Sequence, residues 1–286
     1  MVGIDSLVGA LALEPVGPDR YRAGNAEAGA GVIFGGQLLA QSVVAARLGH
    51  DGKAVKTVHT VFARSGSPDA PVEIAVERKH AGRAFASSTV TIGQGDRLCA
   101  RSVVLLSADE PDFIRHADPA PALAAPDGDG ADGDGADGDG WQVRVVDDVD
   151  VADPDLVGPP ELDVWTRFPG APDDPVVDQA LLAFATDAFL IGTAMRPHRG
   201  VGQAQAHVTV STGVVSHTLT YHEPSPAREW LLLSHRSTYA GRGRCHGRAN
   251  VFRADGTLVA SFVQDGMIRP REPARAGSAQ AGAARL

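Results

Sequence analysis

The chain has 286 residues, of which 43% are hydrophobic and 21% charged, so it holds enough apolar material for one large or two ordinary domains, and wholesale disorder is excluded. Acidic residues outnumber basic ones 35 to 26, and the sequence has no block of basic residues. Both features argue against a nucleic-acid partner bound through its phosphates. The chain has only two cysteines, Cys99 and Cys245, too few for a disulfide framework or a cysteine-based zinc site.

The N-terminal residues lack a basic leader before an apolar run, and no stretch approaches the roughly 18 apolar residues of a membrane span. We therefore expect a cytoplasmic protein without a membrane partner. Lysine is rare while arginine, alanine and glycine abound, a composition that indicates a GC-rich bacterial genome.

The segment 127–140 repeats Gly-Asp-Gly-Ala-Asp and has no apolar residue larger than alanine, so it predicts a solvated linker. Its aspartates do not follow the spacing of an EF-hand calcium loop, because the fifth position is Ala131, and we expect no metal site. The predicted organisation is an N-terminal unit over 1–116, a linker over 117–163, a C-terminal unit over 164–270 and a disordered tail over 271–286.

In chain order, apolar residues at helical spacing among alanines predict a buried helix over 35–48. Strand-like runs separated by Gly, Pro and Asp turns follow at 55–62, 72–77, 85–92 and 98–106. Beyond the linker, the same order predicts a helix over 178–195 and strands over 208–221, 230–236, 243–253 and 258–268.

The two halves align with one another. Residues 81–83 and 240–242 both read Ala-Gly-Arg, and after one inserted residue Leu98 aligns with Leu258. A helix that is apolar nearly all round must be enclosed, and a curved antiparallel sheet can wrap it. The predicted fold class is therefore α+β, a double hotdog of two tandem units, with two unrelated α+β domains as the alternative.

The usual catalytic signatures are missing from the sequence, which has neither a Gly-x-Ser-x-Gly elbow nor a Walker loop. The glycine-rich runs at 29–35 and 241–247 have their third glycine out of step for a dinucleotide fingerprint. His217 and His222 are five residues apart, on opposite faces of a predicted strand, and cannot share a metal. We therefore expect no cofactor.

Two polar side chains stand out inside apolar runs. Asp187 lies in a predicted core helix, where an unpaired carboxylate is costly, so it needs either a structural partner or a chemical role. Gln264 lies in the last predicted strand, and its amide can both donate and accept a hydrogen bond, which suits holding a water beside a carboxylate.

The sequence resembles the acyl-CoA thioesterase II family, the TesB-like enzymes with a double hotdog fold, over nearly all of residues 7–269 outside the acidic segment. The motifs that carry the resemblance are VIFGGQLLAQ at 32–41, VHTVF at 58–62, GRAF at 82–85, RPH at 196–198, EWLL at 229–232, DGTLVAS at 255–261 and QDG at 264–266.

In that family an Asp, a Thr and a Gln orient the water that attacks the thioester. The resemblance assigns Asp187 and Gln264 to two of these roles, but Val214 stands where the threonine is expected and Ser216 where an aspartate usually stands. Thr212 lies two residues earlier, on the same face of the strand and about 7 Å away. Either Thr212 substitutes through a register shift, or the set is incomplete.

The resemblance implies an acyl-CoA substrate. Backbone amides at the start of the first helix, at Gly35, Gly36 and Gln37, suit a developing oxyanion, although close helix packing explains the glycines equally well. Phe34 and His59 complete the predicted substrate-binding residues, with a packed strand histidine as the alternative for His59.

The leading hypothesis is hydrolysis of fatty acyl-CoA to free fatty acid and CoA. A non-catalytic acyl-CoA-binding protein is the alternative, motivated by Val214 and Ser216. A hotdog hydratase is disfavoured because neither central helix contains the histidine that its motif needs. Exposed sheet edges favour association into a homo-oligomer.

Overall fold

The computed structural model describes residues 2–27, 31–126 and 139–271. Most of the predicted acidic linker segment and nearly all of the predicted disordered tail lie outside the described residues.

The described residues of the first half form two helices and six strands: α1 (Ile4–Leu11), β1 (Glu14–Gly17), β2 (Arg20–Ala23), α2 (Gly35–Arg47), β3 (Lys53–Phe62), β4 (Val72–Ala81), β5 (Phe85–Gln94) and β6 (Arg97–Ala108). The second half, within the described residues, repeats this content: β7 (Gln142–Val145), β8 (Glu161–Arg167), α3 (Pro175–Thr186), α4 (Leu190–Met195), β9 (Val210–Tyr221), β10 (Leu231–Gly241), β11 (Arg244–Arg253) and β12 (Leu258–Pro270).

All of these strands form one antiparallel sheet in the order β1-β2-β4-β5-β6-β3-β9-β12-β11-β10-β8-β7. The two units meet at β3 and β9, and the strand order on one side of this seam mirrors the order on the other. The repeated Ala-Gly-Arg motif lies at the end of β4 and again at the end of β10. The prediction of a double hotdog is confirmed, with α2 and α3 as the helices that the sheet encloses.

The two central helices pack directly against each other. Helix α3 begins with Pro175 behind Asp174, whose carboxylate accepts a hydrogen bond from the Val176 amide at 2.8 Å. Gly36 faces α3 so closely that a Cβ on it would collide with the carbonyl oxygen of Phe184. The N-terminus of α2 therefore touches the C-terminal turn of α3, and this contact builds the site described below.

The prediction of one continuous helix over 178–195 is wrong in one respect. Helix α3 ends at Thr186 and α4 starts at Leu190, because Phe189 has a φ of 69° and the Leu190 amide bonds to the Ala188 carbonyl at 2.9 Å. These features define a tight γ-like turn in which a bulky residue has a positive φ. Such a conformation is energetically costly and occurs often at functional sites. The break places Asp187 directly after the last residue of α3, at the helix C-cap.

The stretch Pro175–Met195 is long and apolar enough to cross a membrane by length and composition, so the expectation that no stretch approaches a membrane span is wrong. Most of its apolar surface is buried within the protein, and the turn at Phe189 interrupts it. The structure therefore accounts for it as core helix enclosed by the sheet.

The sequence analysis missed the short strands at both edges of the sheet. Strand β7 lies within the range 117–163 that was predicted to be linker, and it pairs with β8 through Val143 and Thr166. Trp141, just before β7, donates its indole N–H to the hydroxyl of Thr166 at 2.5 Å. The boundaries of the two units stay a prediction.

Candidate active site

Asp187 lies at the C-terminal end of α3 and is only 8% exposed. Burial raises the pKa of its carboxyl to about 8, because the charged form loses its hydration. Hydrogen bonds from the Gly36 amide and from Gln264 oppose this effect and favour the charged form, but burial dominates. A carboxyl with a pKa near neutral pH can exchange a proton with a substrate or water at little cost.

Gln264, on β12, contacts Asp187. Its Nε2 lies 3.3 Å from Asp187 Oδ1 and 3.4 Å from the Asp187 carbonyl oxygen. That carbonyl is available because the break after Asp187 interrupts the helical hydrogen-bond ladder. Gln264 thus caps the end of α3 and holds the carboxylate at the same time.

The start of α2 contacts the other side of the carboxylate. An ideal Cβ on Gly35 would lie 2.6 Å from Asp187 Oδ2, so only glycine allows this approach. The positive end of the α2 dipole therefore faces the carboxylate. Of the amides predicted to bind an oxyanion, that of Gly36 bonds to Asp187, and that of Gln37 bonds to the Phe34 carbonyl at 3.1 Å. Close packing thus accounts for both glycines.

A cavity of about 590 Å³ opens beside Asp187. Most of its wall is apolar. The lining residues are Phe34, Trp141, Val143, Arg144, Asp187, Ala188, Phe189, Ile191, Met195, Gln203, Ala206, His207 and Thr212. Gln264 is not among them and is 1% exposed, so it lies behind Asp187 as seen from the cavity.

Thr212 lines the same cavity as Asp187 because of a bulge in β9. Ser216 pairs with Asp265 and Val214 with Gly266, which leaves Val215 as an extra residue. Since Gln264 faces the helices, Gly266 and its partner Val214 face them too, and so does the residue two before Val214. The Ser216 hydroxyl points to the other face, where it donates to Asp265 at 2.9 Å.

Two of the predicted substrate-binding residues lie away from this cavity. His59 is exposed on the outer face of the sheet, with its Nδ1 2.7 Å from the Thr218 hydroxyl. Gln37 is buried, and its side chain accepts from the Ala26 amide at 2.9 Å and donates to Asn25 at 2.8 Å. The structure brings together Asp187, Gln264, Thr212, Phe34 and the two glycines, but not these two residues.

Sequence reasoning missed His217 and Thr186, which complete the buried polar group. His217 Nδ1 lies 3.1 Å from Gln264 Nε2, and His217 Nε2 lies 3.2 Å from the Thr186 hydroxyl. Burial lowers the pKa of His217 to about 3, so its ring is neutral. The alternation of β9 could have indicated that His217 is buried, because His217 lies on the same face of the strand as the buried Leu219 and Tyr221.

The N-terminal unit has apolar side chains at the positions that correspond to Gln264 and His217. Extending the alignment of Leu98 with Leu258 places Val104 at the position of Gln264. Val104 pairs with Val58, as Gln264 pairs with His217, and both valines are fully buried. The equivalent positions of the first unit are therefore apolar core, and the first unit contributes the start of α2 to the candidate site instead.

Comparison with known proteins agrees with this fold. Residues 23–107 match the family model of the acyl-CoA thioesterase N-terminal domain, and residues 117–268 match that of the acyl-CoA thioesterase C-terminal domain. The chain belongs to the acyl-CoA thioesterase II family. It is thus a thioester hydrolase, and the predictions of family, fold class and enzyme class are confirmed.

The relatives of this acyl-CoA thioesterase align over nearly the full chain. Human acyl-coenzyme A thioesterase 8 is 27% identical over 285 residues, which cover 91% of this chain and 87% of that protein. Acyl-CoA thioesterase 2 of Haemophilus influenzae is 26% identical over 287 residues, which cover 93% and 98%. The acyl-CoA thioesterase II TesB2 structure from Mycobacterium marinum is 28% identical, with a TM-score of 0.76 and coverage of 95% and 99%.

Proposed function

We propose that this thioesterase hydrolyses fatty acyl-CoA to free fatty acid and CoA, with Asp187 as the base that activates the attacking water. The observation that carries this proposal is a carboxyl that is almost wholly buried at the wall of an apolar cavity and has a pKa of about 8. An unpaired carboxyl in such a place lowers stability, so a chemical role explains its presence better than a structural one.

The reaction needs little more than a positioned water, a base and a hydrogen-bond donor, because a thioester is already activated. The water oxygen attacks the thioester carbonyl carbon while its proton passes to Asp187. The C–S bond then breaks, and the sulfur leaves as CoA thiol after taking up that proton. Gln264 holds the Asp187 carboxylate, and the Thr212 hydroxyl donates to the water or to the developing oxyanion.

The apolar wall of the cavity suits a fatty acyl chain. Its wall includes the aromatic side chains of Phe34, Trp141 and Phe189, and the ring centroids of Trp141 and Phe189 lie 6.1 Å apart. Such rings provide a rigid, water-excluding surface for methylene groups. Burial of each methylene contributes about 0.8 kcal/mol, so chain length governs affinity at this wall.

The test is a thiol-release assay over acyl-CoAs of several lengths. Asp187→Asn keeps the side-chain shape but cannot accept the proton, so kcat should fall by about 10²- to 10⁴-fold. Asp178→Asn is the matched control, because Asp178 is a partly buried carboxylate on the same helix whose pKa is also raised, and it bonds to the Ala227 amide away from the cavity. Unchanged turnover in Asp187→Asn would defeat the proposal.

The same assay addresses the threonine position. Thr212→Val should lower kcat if the Thr212 hydroxyl serves the reaction, and Val214→Thr in that background tests whether a hydroxyl at the family's usual position can replace it. Binding of acyl-CoA by the wild type without any thiol release would instead support the non-catalytic alternative.

We also propose that the enzyme is cytoplasmic and self-associates. The edge strands β1 and β7 end the sheet without a further strand among the described residues, and such edges favour pairing with another chain. Sedimentation equilibrium at micromolar concentration checks the second point, since a purely monomeric distribution contradicts it.

A further inference from the structure

The inference begins with the direction of three hydrogen bonds behind Asp187. The Thr186 hydroxyl has one proton, and it donates that proton to the Ala183 carbonyl at 2.9 Å. Toward His217 Nε2 the hydroxyl can then only accept, so the ring proton lies on Nε2. His217 Nδ1 consequently carries a lone pair and accepts from Gln264 Nε2 at 3.1 Å.

This chain of bonds fixes which end of the Gln264 amide faces Asp187. One proton of Nε2 goes to His217 and the other is shared by the Asp187 side chain and carbonyl. The opposite amide orientation would place Oε1 against both the Asp187 carboxylate and the His217 lone pair. Oε1 is buried and has no hydrogen-bond partner among the described residues. The hydrogen bonds donated by Nε2 therefore determine the orientation of the Gln264 amide.

We propose that His217 is a positioning residue that keeps Asp187 ready to act as a base by locking the Gln264 amide with its N–H groups toward the carboxylate. A donating amide stabilises the anion that accepts a proton from water, whereas a flipped amide would stabilise the protonated acid, which cannot accept one. This inference rests on the proposed function of Asp187 and deepens it.

The other charged or titratable groups near Asp187 are few. His217 faces it from β9, with Nδ1 4.0 Å from Oδ1, and is neutral. Arg144 and His207 lie at the cavity wall. Within the described residues, α2 and β12 present Gly36 and Gln264 to the carboxyl, and Asp265 of β12 lies on the outer face. The Gln264 amide is thus the group in direct contact that can reverse its polarity.

The test compares three variants through the pH dependence of kcat/KM. His217→Phe keeps a ring stacked on Phe262, where the His217 ring now lies at 5.2 Å, but removes the acceptor. His217→Asn keeps an oxygen acceptor near the position of Nδ1. His235→Phe is the matched control, because His235 is a second buried neutral histidine against the same Phe262 ring, at 5.7 Å, without a contact to Gln264.

We expect the acid limb of the wild-type profile near pH 8, where Asp187 loses its proton. In His217→Phe the acid limb should move upward by about one pH unit, and kcat at pH 7 should therefore fall about tenfold, with KM changed less than about threefold. His217→Asn should keep the limb near that of the wild type, and His235→Phe should match the wild type in both limb and rate.

The outcome that overturns the inference is a folded His217→Phe whose limb and kcat equal those of the wild type while Asp187→Asn is inactive. If Asp187→Asn is also active, the proposed function itself fails, so the two failures are distinguishable. A measurement on the wild type is independent of variant folding: ¹⁵N shifts of His217 should report a neutral ring protonated on Nε2 between pH 6 and 8. The Nδ1–H tautomer or a cation would equally overturn the inference.

Discussion

At the scale of single residues, burial of the Asp187 carboxyl lowers stability when the group is charged. Its pKa is raised because the protein removes water from the carboxyl and supplies only neutral donors, the Gly36 amide and Gln264. Direct ion pairing to a cation would have lowered the pKa and made the carboxyl a poorer base. A cation is thus not among the groups that set the pKa of this buried acid, as its proposed role as a base requires.

This conflict predicts how stability depends on pH. The unfolded Asp187 ionises near 3.8 and the folded one near 8, so between these values the folded state binds more protons and loses stability as the pH rises. Asn does not titrate, so the stability of Asp187→Asn relative to wild type should increase by up to about 1.4 kcal/mol per pH unit from pH 4 to pH 8.

Chemical denaturation of both proteins at several pH values measures this difference. The two should converge in their pH dependence below pH 4, where the carboxyl is protonated in both the folded and unfolded states. A difference between the two proteins that stays constant from pH 4 to pH 8 would show that Asp187 has an ordinary pKa.

At the scale of elements, the site depends on how two helix ends meet. The N-terminus of α2 can approach the end of α3 only because Gly35 and Gly36 lack side chains, and the turn at Phe189 ends α3 at Asp187. A continuous helix would have used the Asp187 carbonyl in its own ladder, leaving Gln264 without that partner. The break and the glycine pair are thus parts of one arrangement.

Gly36→Ala tests this packing. The added methyl group meets the backbone of Phe184, which cannot move as a flexible side chain can, so we expect a loss of about 1–3 kcal/mol in the free energy of unfolding together with a fall in kcat. Gly9→Ala is the control, since Gly9 lies in α1 with open space around it and alanine favours a helix. Equal effects of the two substitutions on thermal unfolding and thiol release would refute the role of close approach.

At the scale of the whole molecule, a duplicated fold carries a single site. Both units enclose a helix and have matching strands, yet Val58 and Val104 occupy the positions that His217 and Gln264 hold in the second unit. The first unit contributes the start of α2 to the site, including Phe34 in the cavity wall. The candidate site therefore combines residues of both units.

This asymmetry predicts one acyl-CoA bound per chain. Calorimetric titration of the Asp187→Asn variant with a non-hydrolysable acyl-CoA thioether should give a stoichiometry close to one. Two equivalent sites per chain would mean that the valine-lined position of the first unit also binds substrate, contrary to the structure.

The sequence by itself determined the elements and the two central polar residues. Hydrophobic periodicity separates helices from strands, and the repeated Ala-Gly-Arg motif indicates the duplication. A carboxylate within an apolar run is recognisable from the sequence whatever the fold. The edge strands β1 and β7 escaped because four residues give too short a pattern to detect.

Only the tertiary structure decided the partners of those residues. The bulge at Val215 turns Thr212 toward the cavity, and the turn at Phe189 frees the carbonyl that Gln264 binds. The sequence did not distinguish His217 from other strand histidines, because its contact with Gln264 depends on the pairing of β9 with β12. These contacts join residues that are far apart in the chain. They depend on strand register and on backbone strain, and both are set by packing between elements, so no local sequence pattern predicts them.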